Sequence, residues 1–256
     1  MNVSELLAQM TDADEDARAE ASEELNLLMD DSVALGLLGL VAGKESEEVR
    51  ADAVIALGPI VEEAGMDYDE GVPFELDPEL GPGISQETYE NIVRDLRRLY
   101  DDSSQPSLIR RRAFEVLVRD PRGWQAAEIR RQFAGDEPDW KLTAVFSMGY
   151  IAGFEKEIAA TVKSAEGLLL FEAVRAAGAQ EVAAAARRIH DLATSEDVEL
   201  GLRLVAITAL SGVHANSREI LQELTLSQNP EIADAAEAAL DELSMGEWDE
   251  DDDDEG

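Results

Sequence analysis

The chain has 256 residues, 57 of them acidic against 21 basic, for a formal net charge of −36. It contains no cysteine and only two histidines, His190 and His214, which excludes a disulfide framework, a thiolate metal site and most imidazole sites. Its 45% hydrophobic content excludes a wholly disordered acidic chain, and a supply dominated by Ala, Leu and Val with 5% aromatics favours helices over strands.

Four of the bases are lysines (Lys44, Lys141, Lys156, Lys163), so the acid excess comes with scarce lysine. A surface loaded with carboxylates destabilises the compact state by self-repulsion, and molar salt removes most of that by shortening the Debye length to about 3 Å. The composition therefore fits adaptation to high salt, which concerns environment and not function. The N-terminal stretch MNVSELLAQMTDADED carries acids where a signal peptide needs bases and an apolar run. No apolar stretch reaches the roughly 18 residues of a membrane span. A cytoplasmic, non-membrane protein without cofactors is expected.

Along the chain one short motif recurs, Ala-x-x-Ala-Leu with relaxed last positions, often followed by Gly. A degenerate first copy is Ala21–Leu25, followed by Ala53–Gly58. Further copies start at Ala113, Ala144, Ala173, Ala206 and Ala236. The anchor alanines are separated by 32, 60, 31, 29, 33 and 30 residues: one double period, the rest near thirty. Spacing of i, i+3 and i+4 places the motif on one helix face, where small alanines admit a neighbouring helix. The terminal Gly is expected to end the helix in the left-handed conformation. Between anchors lie second helical runs, at 32–41, 126–133, 182–192 and 217–226. Each period is thus a helix pair that cannot bury its apolar face without the next.

This pattern resembles the HEAT repeat, in the short form of about thirty residues seen in phycobilin-lyase-type HEAT proteins. The resemblance implies an all-α, α-α superhelix: an armadillo-like solenoid of about seven helix pairs over residues 1–243. Arg18, Arg50, Arg110, Lys141 and Arg203 stand three residues before an anchor, and Asp16, Glu48, Asp139 and Glu231 five before. The resemblance implies that such acids and bases form a ladder between repeats. The carboxylates also suit the positive end of a helix dipole.

Three segments depart from the repeat. Residues 65–84, rich in Gly and Pro, read as an inserted loop in which Tyr68, Val72, Phe74 and Leu76 alternate with acids. Residues 94–131 carry a net +4 against −40 for the remainder, with aromatics in and just beyond them. Arginine with aromatics is the composition of binding hot spots, although the same arginines have carboxylates close in sequence to pair with. Residues 244–256 form an acidic tail, read as disordered; it is either a solubility tail or a segment that folds back onto the arginine-rich repeat.

No nucleophile elbow, phosphate loop or zinc motif is visible, so a non-enzymatic scaffold or adaptor for a protein partner is expected. The second helices of the pairs, those carrying the anchor alanines, are expected to line the concave binding surface. Partner contacts are expected at Arg97, Arg98, Arg111, Arg112, Trp124 and Arg131, with Tyr68 and Phe74 from the insertion. Arg110 is set aside for the ladder. The repeat class leaves two alternatives, a phycobilin-lyase-like enzyme or chromophore chaperone and a nucleic-acid binder. Phosphate binding needs a broad basic face, which a −36 chain lacks. A monomer is expected.

Overall fold

The computed structural model describes residues 2–69, 83–213 and 216–252, with the side chains of 66–69 and 245–252 left aside. These residues form fifteen α-helices and one short 3₁₀ turn, with no strand among them. They divide into two compact units, residues 1–123 and 124–256.

The first unit holds α1 (Val3–Gln9), α2 (Glu15–Asn26), α3 (Asp31–Ala42), α4 (Glu47–Ala56), α5 (Gly58–Asp69), α6 (Gln86–Asp101) and α7 (Ser107–Leu117). Helix starts are set by short polar side chains. Asn2 forms a capping box with Glu5, and Asp30, Ser46 and Ser85 accept from the backbone N–H groups of Val33, Val49 and Thr88. Helices α1–α2, α3–α4 and α6–α7 are the pairs, and α2, α4 and α7 pack side by side. Helix α5 is extra. It follows α4 after one residue and packs on α4, α6 and α7.

The second unit holds α8 (Gln125–Phe133), α9 (Pro138–Ser147), α10 (Glu155–Ser164), α11 (Gly167–Ala179), α12 (Ala186–Thr194), α13 (Leu200–Val213), α14 (Ser217–Leu224) and α15 (Pro230–Asp252). The pairs are α8–α9, α10–α11, α12–α13 and α14–α15, and the second members α9, α11, α13 and α15 lie against one another in sequence order. Pro138 opens α9 at the position where its missing N–H costs nothing.

All seven anchor alanines, Ala21, Ala53, Ala113, Ala144, Ala173, Ala206 and Ala236, sit on second helices and are fully buried. The period read from the sequence is therefore the period of the packing, because a methyl group is what the contact between successive second helices admits.

Three expectations change. Helix α5 runs through Gly65 to Asp69, past the expected loop start at 65. A Cβ on Gly65 would meet Asp120 Cβ at 3.5 Å and the Tyr89 hydroxyl at 3.6 Å, ordinary contacts, so nothing there breaks the helix. Helix α15 runs to Asp252, into the segment read as a disordered tail; the helix is rich in Ala and Glu, good helix formers. The motif's terminal glycines are not left-handed caps. Positive φ occurs among described glycines only at Gly153 and Gly167.

Those terminal glycines serve close approach instead. Built Cβ atoms would lie 2.9 Å from Arg119 Nε at Gly58, 3.1 Å from the Arg175 guanidinium at Gly149, and 2.8 Å from Ala209 Cα at Gly178. In each case the neighbour belongs to the next second helix or to the turn that ends it.

The bases before the anchors also act differently from a ladder. Arg50, Arg110 and Arg203 donate Nε–H to the carbonyls of Val41 (2.8 Å), Tyr100 (3.0 Å) and Ala193 (2.9 Å). Each acceptor is the penultimate residue of the first helix in the same pair. The arginine thus satisfies a carbonyl left without an intrahelical partner and places its cation at the negative end of the dipole. Lys141 lies over the Phe133 ring at the end of α8, 5.0 Å from its centroid. Arg18 and Arg50 also reach across pairs of helices: Arg18 ion-pairs with Asp52 at 2.7 Å, and Arg50 donates a further bond to Gln105 at 3.0 Å.

Candidate functional site

The expected partner-facing residues fall in both units. Arg97 and Arg98 lie on α6 and Arg111 and Arg112 on α7 in the first unit; Trp124 precedes α8 and Arg131 lies on it in the second. Only Arg111 and Arg112 belong to a second helix. Arg111 is buried, at 7% exposure, and so presents little to a partner. Phe74 and the Tyr68 side chain lie outside the described residues, as does His214.

Four of these arginines pair within their own helix. Arg97 bonds Asp101 at 2.7 Å and Arg98 bonds Asp95 at 3.2 Å. Arg112 bonds Glu115 at 2.6 Å, and Arg131 Nε bonds Glu128 at 2.9 Å. Such i, i+3 and i, i+4 pairs commit these arginines within their own helices, to carboxylates already counted in the segment's net +4. His190, half-exposed on α12, lies beside Asp191 at 3.5 Å.

In the first unit the connection after α7 is fixed by a buried polar cluster. Tyr89 donates to Asp120 at 2.6 Å, and Arg122 donates to the same carboxylate at 2.7 Å and to the Tyr89 oxygen at 3.2 Å. Burial, reinforced by the Asp120 carboxylate, pushes the Tyr89 phenol up. The same carboxylate raises Arg122. The cluster holds charge in compensated form and ties the connection to α6.

The second unit contains an open groove of about 610 Å³ along α11, α13 and α15. Its floor is small: Gly178, Ala209 and Gly212 line it. A Cβ on Gly212 would collide with the Gly178 carbonyl, so α11 and α13 approach too closely there for any side chain between them. Thr208 and Glu242 form its sides, and Ser211 donates to Glu242 at 3.0 Å. At one end Arg175 bonds Glu172 (2.9 Å), donates to the Phe146 carbonyl (2.7 Å) and stacks over Phe146 (4.5 Å) and Tyr150 (5.3 Å). At the other, α11 ends in a Schellman turn: Val182 N–H bonds the Ala177 carbonyl at 2.9 Å and Glu181 N–H the Gly178 carbonyl at 3.1 Å. Glu181 occupies its left-handed position, with φ +50°.

This groove lies on the second-helix face, the face expected to bind, but its residues were not among those singled out in sequence. The signal was the glycine five residues after an anchor, present at Gly178 and read as a cap. Among the described residues no cluster of three or more potential metal ligands occurs, and no helix is long and apolar enough to cross a membrane.

Stacked helix pairs with a thirty-residue period and buried small anchors define a HEAT/armadillo-like helical-repeat protein. No family model and no curated protein sequence matches the chain. Among solved structures it is similar to human deoxyhypusine hydroxylase in complex with glycerol, at 14% identity over 95% of this chain and 84% of that one, TM-score 0.43. It is also similar to the Escherichia coli protein YibA, at 14% identity over 94% and 82%, TM-score 0.49. A designed armadillo repeat protein in complex with a (KR)4 peptide shares 15% identity over 95% and 100%, TM-score 0.37.

Proposed function

We propose that this protein is a non-enzymatic scaffold or adaptor that holds a protein partner on the second-helix face of its second unit. The observation that carries this reading is the groove along α11, α13 and α15. It is open, floored by Gly178, Ala209 and Gly212, and edged by hydroxyl and carboxylate groups. Such a surface offers shape and a few orienting polar groups to an extended segment or a projecting side chain. It holds no paired acid and base poised for proton transfer and no activated nucleophile, which favours binding over catalysis. The strongly negative surface disfavours nucleic acid as the ligand.

The test is capture of partners from the native lysate in molar salt by the tagged wild type and by Thr208→Trp, which fills the groove from an exposed position without disturbing the core. The reading expects one protein retained by the wild type and lost with Thr208→Trp. Retention of a chromophore or small molecule in place of a protein overturns it and reopens the enzyme alternative. So does an unchanged set of proteins.

A further inference from the structure

The groove of the second unit carries carboxylates that the described residues of the chain do not answer. Arg175, the base that lines it, is already committed to Glu172, to the Phe146 carbonyl and to two aromatic rings. Glu242 is oriented by the Ser211 hydroxyl, a neutral donor. The Glu181 carboxylate makes no hydrogen bond or ion pair among the described residues. A Cβ on Gly212 would lie 3.6 Å from Glu181 Cγ, so the side chain of Glu181 lies against α13. Its backbone sits where glycine is the favoured residue, yet it supplies a carboxylate to the groove.

We infer that this groove receives an arginine or lysine side chain of the partner protein, seated over the glycine floor between Glu181 and Glu242. The inference rests on the scaffold reading and adds the chemistry of the ligand. The argument is charge complementarity along the groove. Two carboxylates above a floor of small apolar residues interact more strongly with a cation than they do in open water. A guanidinium supplies several donors to carboxylates on two sides, and its stem covers the floor. The glycines form that floor by letting α11 and α13 meet closely, since any larger residue at 178 or 212 collides with the neighbouring helix.

The experiment is a titration of the ¹⁵N-labelled full-length chain, at one fixed moderate salt concentration, with the capped peptide acetyl-Ala-Leu-Arg-Ala-Leu-amide and its neutral citrulline analogue. The arginine peptide is expected to shift the amides of Gly178, Thr208 and Gly212, and the citrulline peptide to bind about tenfold more weakly, as for one lost charged contact. Glu181→Gly and Glu242→Gln are each expected to weaken arginine-peptide binding severalfold. Glu219→Gln, an equal charge change on the exposed face of α14, leaves it unchanged. Glu181→Gly is a discriminating variant, because its melting temperature is expected to rise while its binding falls.

Equal affinity of the two peptides at these amides overturns the cation inference but leaves the protein-binding reading standing. Weakening by Glu219→Gln as large as by Glu242→Gln also overturns it, since the attraction is then that of the whole surface. Absence of shifts in the groove with either peptide overturns it too, and partner capture with Thr208→Trp then decides the scaffold reading separately.

Discussion

Two glycines show how position decides the value of one Cβ. At Gly178 a methyl would sit 2.8 Å from Ala209 Cα, a backbone atom that cannot yield alone. Gly178→Ala should therefore destabilise by about 1–3 kcal/mol despite the better helix propensity of alanine. At Gly39, mid-helix in α3, nothing lies within 4 Å, and Gly39→Ala should stabilise by about 1 kcal/mol. Denaturant unfolding at constant salt measures both, and the account requires opposite signs. Glu181→Gly relieves a left-handed glutamate and should add about 1 kcal/mol. Tyr89 predicts a pH dependence. Its phenol is raised in the folded chain, so folding favours the neutral form. That contribution is complete below about pH 10, where an unfolded tyrosine titrates, and is lost as pH rises beyond it. Unfolding midpoints should fall more steeply above about pH 10 for the wild type than for Tyr89→Phe.

At the scale of elements, the helix pair is closed by its arginine. The sequence makes the recurrence of a base three residues before the anchor plain but hides its acceptor, since a carbonyl has no residue-type signature. A carboxylate ladder was the natural expectation, and among the described residues Arg18 with Asp52 makes such a bond. Arginine at 50, 110 and 203 instead reaches the end of the preceding helix through Nε. Lysine keeps the charge but lacks that donor. Arg203→Lys should therefore cost about 1 kcal/mol, with a loss that persists in molar salt, where a mere surface ion pair is screened away. Recovery of wild-type stability by Arg203→Lys at any salt concentration contradicts the capping role. Helices themselves were legible because period and caps are local: the run expected at 217–226 is α14, Ser217–Leu224, and that at 126–133 is α8, Gln125–Phe133. The start of α5 directly after α4 was not, because only the packing on α6 and α7 marks it, and that carries the chain past Gly58 into a further helix.

For the whole molecule, the repeat and the charge act on different quantities. The buried anchors define the fold, whereas a charge of −36 sets how stability responds to salt. Unfolding midpoints should rise from low to molar salt as like-charge repulsion is screened, and a flat response contradicts that account. The candidate site was less legible than the fold. Composition pointed to residues 94–131, whose arginines Arg97, Arg98 and Arg112 are held by carboxylates one turn away, as is Arg131. The groove depends on residues 175 to 243, which sequence distance keeps apart and only the stacking of second helices brings together. The most direct test of the binding claim places a photo-crosslinking residue at Thr208 in the groove and, separately, at Gln222 on the exposed face of α14, and then irradiates each in native lysate. The account predicts a single protein crosslinked from position 208 and none from 222. The same products from both positions, or products from 222 alone, would contradict it.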